Sequence, residues 1–177
     1  MIAAVYGGLT LVTVQLFGVL AWGPIQLRVS EAVTVLAFFT PAAIPGLVLG
    51  SVVANLSLFV STGSPLALLD VIFGSLGTLL GALWTWRFRS SVGIGLLGPV
   101  LSNALIVPIY LPLLLKGLGL YKIPLLGVDL EGNWLPMYLF GLVAVAIGQA
   151  VVMYGLGLPL LAALRRLGLQ DLLDGRS

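Results

Sequence analysis

The chain has 177 residues, of which 60% are hydrophobic and 8% charged, and its mean hydropathy is +1.18. A soluble domain carries about a quarter of its residues as charged side chains, so this composition excludes an ordinary soluble protein and indicates a chain built for a lipid bilayer. The lack of cysteine and histidine excludes thiolate nucleophiles, imidazole bases and the commonest metal ligands. The net charge of +2 is too small to indicate a nucleic-acid partner.

Six apolar segments follow one another along the chain, and a helix that crosses the hydrocarbon core of a membrane needs about 20 such residues. We expect the first transmembrane helix over residues 2–22. A cleaved secretory signal would have a Lys or Arg before its apolar stretch, and none precedes this one. The second segment, residues 33–39, follows a candidate N-cap at Ser30 and is too short to cross alone, so it could form a bent pair with the third, residues 42–60. The last three helices are expected over residues 66–86, 92–115 and 134–164. The sequence thus predicts an all-α membrane protein, a six-transmembrane-helix bundle that forms a single domain over residues 1–177.

Basic residues near the helix ends indicate the orientation, because Lys and Arg accumulate on the cytoplasmic side. With six helices both termini lie on the same side. That side carries Arg87, Arg89, Arg165, Arg166 and Arg176. The opposite side carries Arg28, Lys116 and Lys122. We therefore expect a multi-pass protein of the cell membrane with both termini in the cytoplasm.

Two acidic side chains lie close to apolar sequence at the outer ends of predicted helices, Glu31 in the second and Asp70 in the fourth. Burying an unpaired carboxylate is costly, so such groups are paired, face an aqueous cavity or bind a ligand. Arg28 lies three residues before Glu31 and could pair with it on one helical face, which would only fix a loop.

Three amides, Asn55, Asn103 and Gln149, fall within predicted membrane helices. Each alone is best explained by hydrogen bonding between helices, which contributes about 1 kcal/mol. Together with the two acids, however, the two asparagines could converge on one pocket near the outer face. No helix has a continuous polar face that could line a pore, so the pattern favours a site for a small polar solute over an ion channel.

Small residues are spaced four apart on the first helix, Ala3 with Gly7 and Ala4 with Gly8. This spacing lets another helix approach closely, and that helix could belong either to the same chain or to a partner. The sequence has neither a Walker-type phosphate loop nor a nucleophile–base pair among its membrane polar groups. We therefore expect no enzymatic activity in this chain, and active transport would need a partner that hydrolyses ATP.

Several stretches match one known family in the expected order: IQLRVSEA (residues 25–32), PGLVLG (45–50), AN (54–55), LDVIFGSLGTL (69–79), VAIGQ (145–149) and GLPL (157–160). The segments RVSEA and LDVIFG are the most specific of them. On these residues the chain resembles the QueT family, the substrate-binding S components of energy-coupling factor (ECF) transporters.

The resemblance implies a six-helix S component that binds its solute at the outer face and takes up a queuosine precursor, 7-aminomethyl-7-deazaguanine or a related deazaguanine. It implies as partners an EcfT-type transmembrane coupling subunit and two ABC ATPase subunits, which bind the ATP, and no cofactor in this chain. The small residues of the first helix correspond to the surface that docks on the coupling subunit: Ala3, Ala4, Gly7 and Gly8.

The resemblance also implies roles for the polar residues. A guanine-like edge presents two donors that a carboxylate can accept, and the aminomethyl group is cationic, so Glu31 and Asp70 are expected to meet these two groups in either order. Arg28 would donate to the O6 carbonyl or position a carboxylate, while Asn55 and Asn103 would add neutral hydrogen bonds.

Gln149 is the sixth residue expected to bind the solute, and the chain departs from the family there, because a glutamate is usual at this position. An amide there removes a counter-charge, which favours an uncharged analogue such as the nitrile precursor. Two alternatives also stay open: an S component for another vitamin or aromatic metabolite, and a membrane structural or assembly protein whose buried polar groups only hold helices together.

Overall fold

The computed structural model describes residues 1–17, 27–117 and 134–170, and the regular elements within these ranges are all helical. There are six helical segments: α1 (Ile2–Phe17), a 3₁₀ helix (Val29–Phe38), α2 (Ala43–Thr62), α3 (Ala67–Arg87), α4 (Val92–Gly117) and α5 (Trp134–Arg166). Their order and nearly all of their ends agree with the predicted segments to within a few residues. The predicted end of the first helix, as well as Lys122 and Arg176, lies outside the described residues.

Four of these helices are long and apolar enough to cross a membrane: Ala43–Thr62, Ala67–Arg87, Val92–Leu113 and Trp134–Arg166. The 3₁₀ helix has 10 residues and the described part of α1 has 16, both short of the roughly 20 that a crossing α-helix needs. Large apolar side chains on the outer faces of the long helices, among them Val53, Leu105 and Val143, are about half exposed. A belt of exposed apolar side chains is unfavourable in water and favourable in contact with lipid. The described helices therefore form an integral membrane protein.

The 3₁₀ helix is the centre of the bundle, since every one of the five α-helices contacts it. Its residues are buried except Val29 and Leu36, which are partly buried. A 3₁₀ run of this length is uncommon, and the β-branched series Val33, Thr34 and Val35 lowers the propensity for a regular α-helix. With a rise of about 2.0 Å per residue, ten residues extend about 20 Å in this form instead of about 15 Å in an α-helix.

The helix starts at Val29, two residues earlier than an N-cap at Ser30 would require, and that prediction is therefore wrong. Arg28 occupies the N-cap position and makes no side-chain capping bond. Ser30 lies inside the 3₁₀ helix, where its hydroxyl accepts a hydrogen bond from Thr10 Oγ1 on α1 at 2.6 Å. The side chain thus ties the central helix to α1.

Two of the long helices contain a π turn, at Asp70–Gly74 in α3 and at Met153–Gly157 in α5. A π turn inserts an extra residue into the helical ladder and is frequent at functional sites. Asp70 begins the first of these turns, and Gln149 lies one helical turn before the second. Both π turns are therefore adjacent to polar residues that the sequence analysis selected.

Candidate functional site

Arg28 and Asp70 form an ion pair in the interior of the bundle. Nη2 of Arg28 lies 2.7 Å from Oδ2 of Asp70, and the two side chains are 2% and 0% exposed. The Tyr110 hydroxyl on α4 donates to the other carboxylate oxygen, Oδ1, at 2.5 Å. The ion pair and the hydrogen bond together offset the desolvation cost of the two charges, which is several kcal/mol for each charge that leaves water. The structure therefore pairs Arg28 with a residue 42 positions away, whereas the loop-fixing alternative would have paired it with Glu31.

Asn55 on α2 holds the backbone at the start of the first π turn. Its Nδ2 donates to the backbone oxygen of Asp70 at 2.8 Å, and it also lies 3.4 Å from Ser51 Oγ. Its Oδ1 is buried and has no hydrogen-bond partner among the described residues. Gly74 makes room for this arrangement, because a Cβ there would lie 2.9 Å from Asp70 Oδ1 and 3.0 Å from Asn55 Nδ2.

Glu31, on the 3₁₀ helix, is fully buried and is held by hydroxyl groups. The Tyr6 hydroxyl on α1 donates to Oε1 at 2.6 Å, and Thr78 Oγ1 on α3 lies 3.3 Å from the same oxygen. Thr34 Oγ1 is a weaker donor to Oε2 at 3.5 Å. Glu31 thus joins α1, the 3₁₀ helix and α3 at one point.

The two carboxylates belong to one hydrogen-bonded network, and Ser51 on α2 links them. Ser51 Oγ lies 3.2 Å from Thr78 Oγ1 on the Glu31 side and 3.4 Å from Asn55 Nδ2 on the Asp70 side. Four of the six residues predicted to bind solute are therefore brought together: Arg28, Glu31, Asn55 and Asp70. We call this set, with Tyr6, Ser51, Thr78 and Tyr110, the polar network.

The four hydroxyl-bearing members of the network were not predicted from the sequence. Threonine, serine and tyrosine are common in membrane helices, and a hydroxyl can bond the backbone of its own helix. Tyr6 has one usable signal, since it lies between the two pairs of small residues on α1. The other three carry no spacing signal that would separate them from structural residues.

Asn103 lies apart from the polar network, at the contact between α3 and α4. Its Nδ2 donates to the backbone oxygen of Pro99 in its own helix at 3.0 Å. Its Oδ1 lies against Gly77, where a Cβ would come within 2.6 Å of that oxygen. This close approach of an amide to a glycine is typical of helix packing in membranes.

Gln149 lies on the buried face of α5 and is 0% exposed. Neither its Nε2 nor its Oε1 has a hydrogen-bond partner in the described parts of the chain. A buried polar side chain is normally hydrogen-bonded, so each exception needs an explanation.

The small residues of α1 divide between two environments. Gly7 is buried, with its Cβ position 3.6 Å from the backbone oxygen of Gly50 on α2, and a Cβ on Gly50 would lie 2.8 Å from the backbone oxygen of Ala3. Ala4 and Gly8 are exposed, and a Cβ on Gly8 would meet nothing within 4 Å. One pair thus packs inside the chain, while the other faces outward.

Long apolar helices around a buried polar network define a polytopic membrane protein. The chain belongs to the QueT transporter family, whose sequence model matches residues 1–166. This confirms the resemblance noted in the sequence and indicates a component of a membrane transporter. No curated protein and no solved structure matches it.

Proposed function

We propose that the chain is the S component of an ECF transporter, which binds a deazaguanine precursor of queuosine and is energised by an EcfT-type subunit and two ABC ATPase subunits. The observation that carries this proposal is the polar network, buried in a chain of a transporter family and built from the 3₁₀ helix and four different helices. A set of converging polar groups within apolar surroundings is the usual form of a small-molecule site. The chain has no Walker-type loop, so its energy source is assigned to partners.

The charges of the network suggest which carboxylate meets the aminomethyl group. The charge of Asp70 is balanced by Arg28 at 2.7 Å, whereas Glu31 is held by hydroxyl groups at 2.6 to 3.5 Å. A cationic group gains more next to a carboxylate that is not already balanced by a cation. We therefore assign the aminomethyl group to Glu31 and the exocyclic amine of the base to the Arg28–Asp70 side, where Asn55 Oδ1 is a further acceptor.

Calorimetric titration of the purified protein tests this assignment. The wild-type chain is expected to bind 7-aminomethyl-7-deazaguanine or its nitrile precursor saturably. Glu31→Gln should weaken binding of the amine by about tenfold or more, the loss of one charge-assisted hydrogen bond, while leaving the nitrile nearly unchanged. Asp70→Asn should weaken both. A folded wild-type protein that binds neither compound would contradict the deazaguanine proposal and favour another vitamin.

The outward pair on α1, Ala4 and Gly8, is the proposed docking surface for the coupling subunit. Gly8→Leu adds a side chain into open space, so the fold and solute binding should be retained while co-purification with the EcfT-type and ATPase subunits is lost. Gly155→Leu is the matched control, because a Cβ at that glycine of α5 also meets nothing within 4 Å. Loss of the complex in both variants, or in neither, would contradict this surface.

A further inference from the structure

Gln149 is a buried amide whose two polar atoms lack a hydrogen-bond partner in the part of the chain that the structure describes. These atoms are its donor nitrogen and its acceptor oxygen, and the side chain is 0% exposed. An apolar side chain of the same length would avoid this penalty, since an unpaired buried polar group costs free energy that an apolar group does not. The placement of an amide here therefore points to a polar group that is present during function.

On α5, residues on either side of Gln149 pack close to each half of the polar network. One helical turn before it, Val145 belongs to the same buried cluster as Tyr110, the donor to Asp70. The π turn Met153–Gly157 begins one helical turn after it. The Cβ position of Gly157 lies 3.8 Å from Cα of Ala32, the residue next to Glu31.

The chemistry of the amide specifies what it can bind. A glutamine side chain offers a carbonyl acceptor and an NH₂ donor side by side, which complements an edge that presents one N–H and one C=O. A carboxylate complements instead an edge with two donors. A deazaguanine has both kinds of edge: the lactam edge (N1–H and O6) and the amidine edge (N1–H and the exocyclic amine).

We propose that Gln149 binds the lactam edge of the solute through a pair of hydrogen bonds, one to O6 and one from N1–H. This inference rests on the proposed function, because it requires the solute to be a heterocyclic lactam. It adds to that function the edge of the solute that α5 recognises. The aminomethyl or nitrile substituent on C7 is not part of this edge, so Gln149 makes the same two bonds to either compound.

Two variants test the proposal on the purified protein with the nitrile compound, 7-cyano-7-deazaguanine. Gln149→Met keeps the length of the side chain and removes both hydrogen-bonding atoms. It is expected to weaken binding by about tenfold or more while leaving the thermal stability of the solute-free protein equal or higher. Unchanged affinity would overturn the proposal, and a lower thermal stability with it would show that the amide serves only packing or an internal water.

Gln149→Glu identifies the edge by the pH dependence of its affinity relative to wild type. A protonated glutamate offers one donor and one acceptor, like the amide, whereas an ionised one offers acceptors alone. If Gln149 meets the lactam edge, the variant should bind better as the pH falls. If it meets the amidine edge, the variant should bind better as the pH rises, which would overturn the proposal. Dividing by the affinity of the wild-type protein at each pH removes the pH dependence that comes from Glu31, Asp70, Arg28 and Tyr110. Failure of the wild-type protein to bind at all would instead contradict the proposed function.

Discussion

At the scale of single residues, the two buried carboxylates are stabilised in different ways. Asp70 receives a cation and a phenol, from Arg28 at 2.7 Å and Tyr110 at 2.5 Å. Glu31 receives hydroxyl groups, the closest being Tyr6 at 2.6 Å. The first arrangement is electrically balanced and should remain in place without solute. The second leaves a carboxylate to which an additional positive or hydrogen-donating group can be attracted.

The balance of the Arg28–Asp70 pair predicts a large effect of breaking it from one side. Asp70→Asn leaves the guanidinium in an apolar interior and is expected to lower the free energy of unfolding in detergent by about 3–5 kcal/mol. Arg28→Met combined with Asp70→Asn should recover much of that loss, because both charges are then gone. Arg166→Met, at an exposed arginine, should change stability by no more than about 0.5 kcal/mol.

A double-mutant cycle on chemical unfolding measures this coupling. If the losses of stability in Asp70→Asn and Arg28→Met add up to the loss in the double variant, the two side chains have no interaction free energy despite their short distance.

At the scale of the elements, the sequence predicted helices well and their internal irregularities poorly. Apolar runs separated by Gly, Pro and polar residues gave the ends of α2 to α5 to within about two residues, as boundaries of strongly patterned segments should. The π turns and the 3₁₀ form shift each hydrogen bond by one residue, and the β-branched series over residues 33–35 is only a weak signal for one of them. The pairing of Arg28 with Asp70 was equally inaccessible, because spacing along a chain reports only neighbours within one helix.

The π turn of α3 predicts that its glycine is required for the site, in contrast to a glycine in the π turn of α5. Gly74→Ala would place a Cβ 2.9 Å from Asp70 Oδ1 and 3.0 Å from Asn55 Nδ2, so it should cost about 1–3 kcal/mol of stability through overpacking and weaken solute binding. Gly155→Ala adds a methyl group into open space and should be neutral or stabilise by up to about 1 kcal/mol.

Thermal unfolding and titration of the two alanine variants decide between these expectations. Equal behaviour of both would show that the carboxylate and amide can move away from the added methyl without consequence.

At the scale of the whole molecule, hydrogen bonds between helices place the exposed arginines at one end of the bundle. Near the end of α3, Trp84 Nε1 donates to the backbone oxygen of Ile94 at 2.9 Å, and Tyr154 on α5 donates to that of Gly93 at 2.9 Å. At the other end of α4, Trp134 Nε1, at the start of α5, lies 3.4 Å from the backbone oxygen of Ile109. The arginines that follow these contacts in α3 and α5 therefore share one side, as the predicted orientation requires: Arg87, Arg89, Arg165 and Arg166.

This arrangement predicts the sidedness of the protein, and single cysteines can test it cleanly because the chain has none of its own. Ser61, near the end of α2, and Ser90, in the turn after α3, are both exposed. With arginine-rich ends in the cytoplasm, a membrane-impermeant maleimide should label Ser61→Cys in intact cells and Ser90→Cys only after permeabilisation. Labelling of both in lysed cells is the control for reactivity. The reverse pattern would place residues 61–65, around the end of α2, on the cytoplasmic side together with Asp70, which follows shortly after. The network could not then receive solute from outside, and an import function would be untenable.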